Sequence, residues 1–124
     1  MKYVDGYVLP VPKKNLVAYR RIAQQAGKLW RKYGALEFRE CVGDHLKTQK
    51  IKSFPALVKP KRGETIVFSW ITFKPAPHRD SVNAKVMKDP AIAKMMKEKN
   101  ALRFEAHGLW RIQGHGRRLE INVA

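Results

Sequence analysis

ETIVFSWITF, residues 64–73, is the stretch that decides the fold of this chain. β-branched and aromatic residues dominate it, which is typical of a strand. Both sides of its period-2 alternation carry apolar residues, so the pattern predicts a central strand that is covered on each face. The run is far too short to cross a bilayer, and we expect no membrane segment here.

Further regular elements are predicted before this strand. Residues 3–11, YVDGYVLPV, are rich in strand-forming residues. From Asn15 to Gly34, apolar side chains recur at spacings of three and four, which predicts an amphipathic helix with Asn15 as N-cap and Gly34 as its stop. Residues 35–42, ALEFRECV, alternate as a half-buried strand.

The remaining elements complete a recognisable order. Residues 43–63 form a basic insertion punctuated by Pro and Gly, which indicates a long loop. Helices are predicted over 78–87 and 90–99, the second capped by Asp89 and started by a proline. With a final strand in 101–124, the order is βαββαβ. The expected fold class is therefore α+β, a ferredoxin-like domain with an antiparallel sheet, formed as a single domain over residues 1–124.

Composition restricts the environment and the partners. The chain has 124 residues, enough for one domain, and 44% of them are hydrophobic. A single cysteine, Cys41, excludes an internal disulfide, and no signal peptide is visible, so we expect a cytoplasmic protein without a membrane partner. The 26 Lys and Arg residues against 10 Asp and Glu give a formal net charge of +16. This charge leaves non-specific nucleic-acid binding open as an alternative function.

Two carboxylates occupy unusual positions. Asp5 lies inside a predicted strand, where Asp is depleted, and Gly6 beside it suggests a close backbone approach. Glu40 shares the face of its strand with apolar neighbours. Near Tyr7 and Trp70, such carboxylates could form a ligand pocket with perturbed pKa values. The alternative is that each is an ion-paired or hydrogen-bonded structural group.

Histidine and cysteine residues do not form a metal signature. Cys41 and His45 are four residues apart across a predicted strand end, where that spacing does not bring side chains together. No carboxylate cluster completes a ligand set. We therefore expect neither a metal nor another cofactor.

Three segments carry a family resemblance: MKYVDGYVLPVPKKN, GALEFRECVGD and ETIVFSWITFKPAPHRDSVNAKVMKDP. Together they resemble the YbaA-like family of uncharacterised bacterial proteins, in the dimeric α+β-barrel superfamily. The most specific part is Phe68-Ser69-Trp70 followed by His78-Arg79-Asp80, Asn83 and Met87. The resemblance implies a ferredoxin-like monomer that pairs with a second copy through its sheet. It brings no settled activity.

The expected function is small-molecule binding between sheet and helices by a homodimer. Six residues are candidates for the ligand site: Asp5, Tyr7, Glu40, Trp70, His78 and Asn83. Some members of the superfamily are small monooxygenases that need no cofactor, and an activity of that kind is an alternative by analogy of fold alone.

The last residues depart from the family pattern, which ends in a motif resembling MPFDxKRMxYGGF. Codons that encode Ala101 to Gly116 can, read one base later, encode PFDSKRMVYGGFKVM, with the preceding Met supplied by Asn100. We hypothesise that a single-base slip shortly before residue 101 replaced the natural last strand. Resequencing the gene would exclude the slip if no such alternative frame exists. Residues 107–114 keep enough β character for a poor strand.

Overall fold

The computed structural model describes residues 2–101 and shows a mixed α/β chain. Three strands form one antiparallel sheet in the order β1-β3-β2, so the strand predicted to be central lies between the other two. The elements are β1 (Tyr3–Pro12), α1 (Leu16–Lys32), β2 (Glu37–Val42), α2 (Phe54–Val58), β3 (Glu64–Phe73), α3 (Ala76–Lys88) and α4 (Pro90–Ala101). The predicted bounds of β3 are confirmed at both ends.

The strand register places residues of three strands in rows across the sheet. Tyr7 of β1 and Glu40 of β2 are both paired with Ser69 of β3. Two rows along, Asp5 and Phe38 are both paired with Ile71. Because side chains alternate along a strand, all of these residues face the same side. We call this side the helix face, since it carries α1, α3 and α4, and the other side the open face.

The core lies between the helix face and the helices. Phe73, at the end of β3, is fully buried, and so is Val86 of α3. Leu29 of α1 and Met95 of α4 belong to the same apolar cluster. A fully buried Phe contributes roughly 1.5–3 kcal/mol through removal of its apolar surface from water, so this cluster fixes the three helices on the sheet.

The open face is less covered than the sequence indicated. Phe68 on β3 is 36% exposed, and Trp70 is half-buried. At one end, α2 covers the sheet, because Phe54 stacks on Phe68 with ring centroids 5.6 Å apart. Within the described residues of one chain, this part of β3 is therefore well covered on the helix face alone.

The insertion at 43–63 contains the short helix α2, so the prediction of a loop throughout this segment is wrong in part. Ser53 caps this short helix, its Oγ accepting a hydrogen bond from Ala56 N at 3.4 Å. Pro55 stands in the first turn, where the missing N–H costs nothing. A serine followed by a proline two residues later is a helix-start signal, and only the brevity of the helix concealed it.

The helix ends agree with their predicted signals. Asn15 occupies the N-cap position of α1 after a short 3-10 turn, without a side-chain capping bond. Gly34 follows α1 with a φ of 115°, a conformation that favours glycine. Asp89 caps α4, since its Oδ1 accepts a hydrogen bond from Ala91 N at 2.8 Å. The start and stop signals at these three residues are confirmed in position.

Residues 102–124 lie outside the described residues. With them lie the strand predicted in the tail, at 107–114, and the hypothesis of a shifted reading frame. Within residues 2–101, no helix has both the length and the apolar character that a membrane crossing requires.

Candidate functional site

Glu40 is the carboxylate with the most perturbed environment among the described residues. It lies on the helix face of β2 and accepts a hydrogen bond from the Tyr19 hydroxyl of α1 at 2.8 Å. Burial raises the pKa of the Glu40 carboxyl to about 7, although the Tyr19 hydrogen bond and the positive charge of Lys99 oppose the rise. Loss of hydration disfavours the ionised form more than these two partners favour it. Glu40 can therefore exchange a proton near neutral pH.

Tyr19 and Lys99 share this desolvated environment. Burial raises the pKa of the Tyr19 phenol, and the neighbouring Glu40 charge raises it further, so Tyr19 remains a hydrogen-bond donor at neutral pH. Burial lowers the pKa of Lys99 on α4, and Glu40 opposes that shift. Side chains from β2, α1 and α4 thus form one polar cluster at the helix face. We call Glu40, Tyr19 and Lys99 the Glu40 cluster.

A groove of about 840 Å³ runs between α1 and β2 beside Glu40. Its volume lies within the range of roughly 300–1,000 Å³ that is common for small-molecule sites. Leu16, Val17, Tyr19, Arg20, Ala23, Gln24, Gly27, Lys28, Arg31, Phe38, Arg39, Glu40, Val42 and Val67 line it. Four of these residues are basic, and Glu40 is the single acidic one. We call this cleft the α1–β2 groove.

Asp5 has a structural partner. Its Oδ2 accepts a hydrogen bond from Arg79 Nε at 2.8 Å, and both side chains are mostly buried. The same guanidinium bonds Asp80 Oδ1 at 3.0 Å and lies 6.0 Å from the centre of the Tyr3 ring. This geometry ties β1 to α3 and matches the ion-pair interpretation of Asp5. A Cβ at Gly6 would meet no atom within 4 Å. Among the described residues, the prediction that another group closely approaches the backbone at Gly6 is therefore wrong.

His78 and Asn83 also hold elements together. His78 Nδ1 accepts a hydrogen bond from Lys74 N at 3.0 Å, just before α3 begins. Its Nε2 would lie 3.1 Å from a Cβ at Gly34. Asn83 Oδ1 accepts a hydrogen bond from Trp30 Nε1 at 3.0 Å, which joins α3 to α1.

The six predicted site residues do not converge on one cleft. Tyr7 and Glu40 lie in the same row of the helix face. Trp70 is on the open face, where its Nε1 donates to Glu37 Oε2 at 3.2 Å. The prediction of one cleft with Trp70 and Glu40 is therefore wrong. Glu40 is paired with Ser69 of β3, and the side chain of the next residue, Trp70, points to the opposite side of the sheet.

Sequence reasoning missed the residues that surround Glu40. Arg20, Gln24 and Lys28 recur every four residues on α1, a spacing that places them on one side of a helix. That signal was visible, but the sequence does not show which strand the side faces. Tyr19 is one of the apolar side chains whose spacing predicts α1, and its hydroxyl bond to Glu40 follows only from the packing of α1 on β2. Among the described residues, no group of three or more His, Cys, Asp or Glu could hold a metal ion.

Comparisons with known proteins support the family resemblance. The model of a protein family of unknown function, DUF1428, matches residues 2–106. The chain belongs to the DUF1428 family. Among relatives of this DUF1428 chain is the "Uncharacterized protein YbaA" of Escherichia coli (strain K12), which is 41% identical over 90 residues, 73% of this chain and 77% of the relative. The protein with the same description from Shigella flexneri gives the same values. The predicted YbaA-like membership is confirmed.

Proposed function

We propose that this DUF1428 chain is a cytoplasmic, homodimeric α+β-barrel protein that binds a small molecule between its sheet and helix α1. The β1-β3-β2 order supports a ferredoxin-like monomer, since that fold adds its fourth strand beside β1. Among residues 2–101, β1 is paired with β3 alone. The thiol of Cys41 is free and exposed, which fits a reducing compartment.

The open face supports the dimer. Phe68 is 36% exposed and Trp70 is half-buried, and their rings lie 5.4 Å apart as a continuous apolar surface. Gly6, which is paired with Trp70, leaves open space beside it. A second sheet packed on this side would remove the two rings from water. A barrel dimer formed through the open face leaves the α1–β2 groove accessible, because the groove lies on the opposite side of the sheet.

One observation carries the binding proposal: a half-buried carboxylate, Glu40, lies in the wall of a groove of small-molecule size. A core carboxylate with only a structural role does not need a groove beside it. A ligand group that bonds Glu40 would also replace part of the hydration that the carboxylate has lost.

Native mass spectrometry of freshly purified protein tests the proposal, because it reports the assembly mass and any retained ligand together. We expect an ion of twice the 14.3 kDa chain mass with a small-molecule adduct. Gln24→Trp, which adds a bulky ring at an exposed position of the groove lining, should lose the adduct, and Met87→Ala on the exposed side of α3 should retain it. A monomer without any adduct would contradict both parts of the proposal.

A cationic stripe favours non-specific nucleic-acid binding as the second candidate. Arg20, Lys28 and Arg31 are exposed and lie on the same side of α1. Double-stranded DNA attracts such a stripe without reading sequence, and its binding weakens steeply with salt. A fluorescence anisotropy titration with a DNA duplex at several salt concentrations would exclude this function if affinity is absent or independent of salt. Nothing among the described residues favours the monooxygenase alternative over ligand binding.

A further inference from the structure

We propose that the α1–β2 groove selects a small organic carboxylate with an apolar body, whose acid group is attracted by the positive charge of Arg20 and Lys28. This inference rests on the proposed function and adds the chemical class of its ligand. It follows from three features of the groove: which cations lie there without a carboxylate partner, what forms the floor, and where the single carboxylate stands.

Two of the four cations of the groove, Arg39 and Arg31, bond to neighbouring groups of β2. Arg39 Nε forms an ion pair with Glu37 Oε1 at 2.8 Å, and Arg31 Nη2 donates to Phe38 O at 3.4 Å. No carboxylate of residues 2–101 forms an ion pair with Arg20 or Lys28. These two residues are separated by two helical turns and flank the groove from α1. They leave an excess of positive charge that an anionic ligand would balance.

The floor between the cations and the sheet is apolar and closely built. Gly27 of α1 packs against Phe38 of β2 in one part of the lining. In another part, Ala23 of α1 packs on the apolar cluster that contains the fully buried Val67 of β3. A Cβ at Gly27 would lie only 3.1 Å from Phe38 Cδ1, so the glycine allows α1 to approach β2 closely. Arg31 bonds the backbone of Phe38 at this end of the groove. The apolar residues of the lining can contact the body of a ligand whose anionic end meets the exposed cations of α1.

Glu40 makes the expected binding depend on pH. The groups that face it are the Tyr19 hydroxyl of α1 and the Lys99 ammonium of α4, with Ser69 beside it on β3. An ionised Glu40 repels a ligand carboxylate, whereas a protonated Glu40 can donate a hydrogen bond to it. Because burial raises the pKa of Glu40 to about 7, a carboxylate that binds only the protonated form should bind about tenfold more weakly at pH 8 than at pH 6.

The test uses 2-naphthoate as the probe and 2-naphthamide as its neutral counterpart, each titrated into the purified full chain by isothermal titration calorimetry. The carboxyl group of the probe stays ionised from pH 6 to pH 8. We expect 2-naphthoate to bind at pH 6 roughly tenfold or more tightly than the amide, since an ion pair to a guanidinium or ammonium is stronger than a neutral hydrogen bond.

Matched variants assign the affinity to the groove. Arg20→Ala and Lys28→Ala should each weaken 2-naphthoate binding about five- to tenfold, while Arg21→Ala, an exposed arginine of α1 outside the groove lining, should leave it unchanged. Glu40→Gln should bind the probe equally at pH 6 and pH 8. Circular dichroism of each variant reports whether the fold is retained.

The outcomes separate the inference from the function on which it rests. Equal binding of 2-naphthoate and 2-naphthamide, or binding that Arg20→Ala and Lys28→Ala do not change, would overturn the carboxylate proposal. If native mass spectrometry finds a neutral or cationic adduct that Gln24→Trp removes, small-molecule binding stands and only the ligand class is wrong. If no adduct is retained and neither probe binds, both proposals fail.

Discussion

Replacing Glu40 by Gln tests the energetic description of the groove without any ligand. The pKa of this carboxyl is raised from 4.5 to about 7, because burial disfavours the ionised form. Between these values the folded chain binds a proton that the unfolded chain has lost, so stability falls as the pH rises. Above pH 7 the free energy of unfolding is lower by about 2–3 kcal/mol than at pH values below 4.5. This figure converts the rise in pKa at about 1.36 kcal/mol per pKa unit and is reduced because the carboxyl keeps some contact with solvent.

The Gln variant has no carboxyl to ionise and keeps an oxygen that can accept the Tyr19 hydrogen bond. We therefore expect Glu40→Gln to match the parent chain near pH 5 and to exceed its free energy of unfolding by about 2–3 kcal/mol at pH 8. Urea unfolding followed by circular dichroism at both pH values measures this difference directly.

Glu37 provides the matched control on the same strand. The Arg39 and Trp70 hydrogen bonds lower the pKa of the Glu37 carboxyl, so its ionised form stabilises the fold and Glu37→Gln should lose stability at pH 8. A Glu40→Gln chain that is no more stable than the parent at pH 8, or that keeps the parent's pH dependence between pH 5 and pH 8, would refute the assignment of a desolvated Glu40.

Three further predictions concern the fold outside the groove and the dimer. Asp5→Ala should lower the free energy of unfolding in urea by about 2 kcal/mol, because it leaves the mostly buried Arg79 guanidinium without its Asp5 partner. Asp80→Ala, which removes the exposed partner of the same guanidinium, should lower it by less than about 0.5 kcal/mol. Equal losses would contradict this ranking. Gly34→Ala should lower stability by about 1–2 kcal/mol in the same assay, since φ is 115° and the histidine ring lies 3.1 Å from the new Cβ; an unchanged midpoint would exclude the strain. Phe68→Glu should yield a monomer in size-exclusion chromatography with light scattering, while Met87→Glu, exposed on α3, should not; a dimer in both would move the interface away from the open face.

Local signals predicted most of the described fold. The strand at 64–73, the stop at Gly34 and the cap at Asp89 depend on short-range chemistry: β-branched alternation, a left-handed backbone position and a side chain that accepts backbone N–H groups. These features are determined within a few residues of chain. The short helix α2 escaped prediction because five residues carry too little periodicity to stand out in a basic insertion.

The candidate site was predicted less well, because it depends on how elements pack. The odd placement of Glu40 on an apolar face was visible in the sequence, and it identified the residue that the structure places in the groove. Its partners come from α1 and α4, and no local pattern shows that Tyr19 and Lys99 meet it. Trp70 was predicted to share a ligand site with Glu40, but the two side chains lie on opposite faces of the sheet. The side of Trp70 follows from alternation relative to Glu40 only when the register between β2 and β3 is known.

Mapping where 2-naphthoate binds tests the central claim most directly. In ¹H–¹⁵N correlation spectra of the labelled chain at pH 6, we expect the largest shift changes at the groove residues Arg20, Ala23, Lys28 and Glu40. The same positions should respond weakly to 2-naphthamide at equal concentration. Shift changes concentrated around Trp70 on the open face, with the groove residues unmoved, would contradict the claim that this protein binds its ligand between α1 and β2.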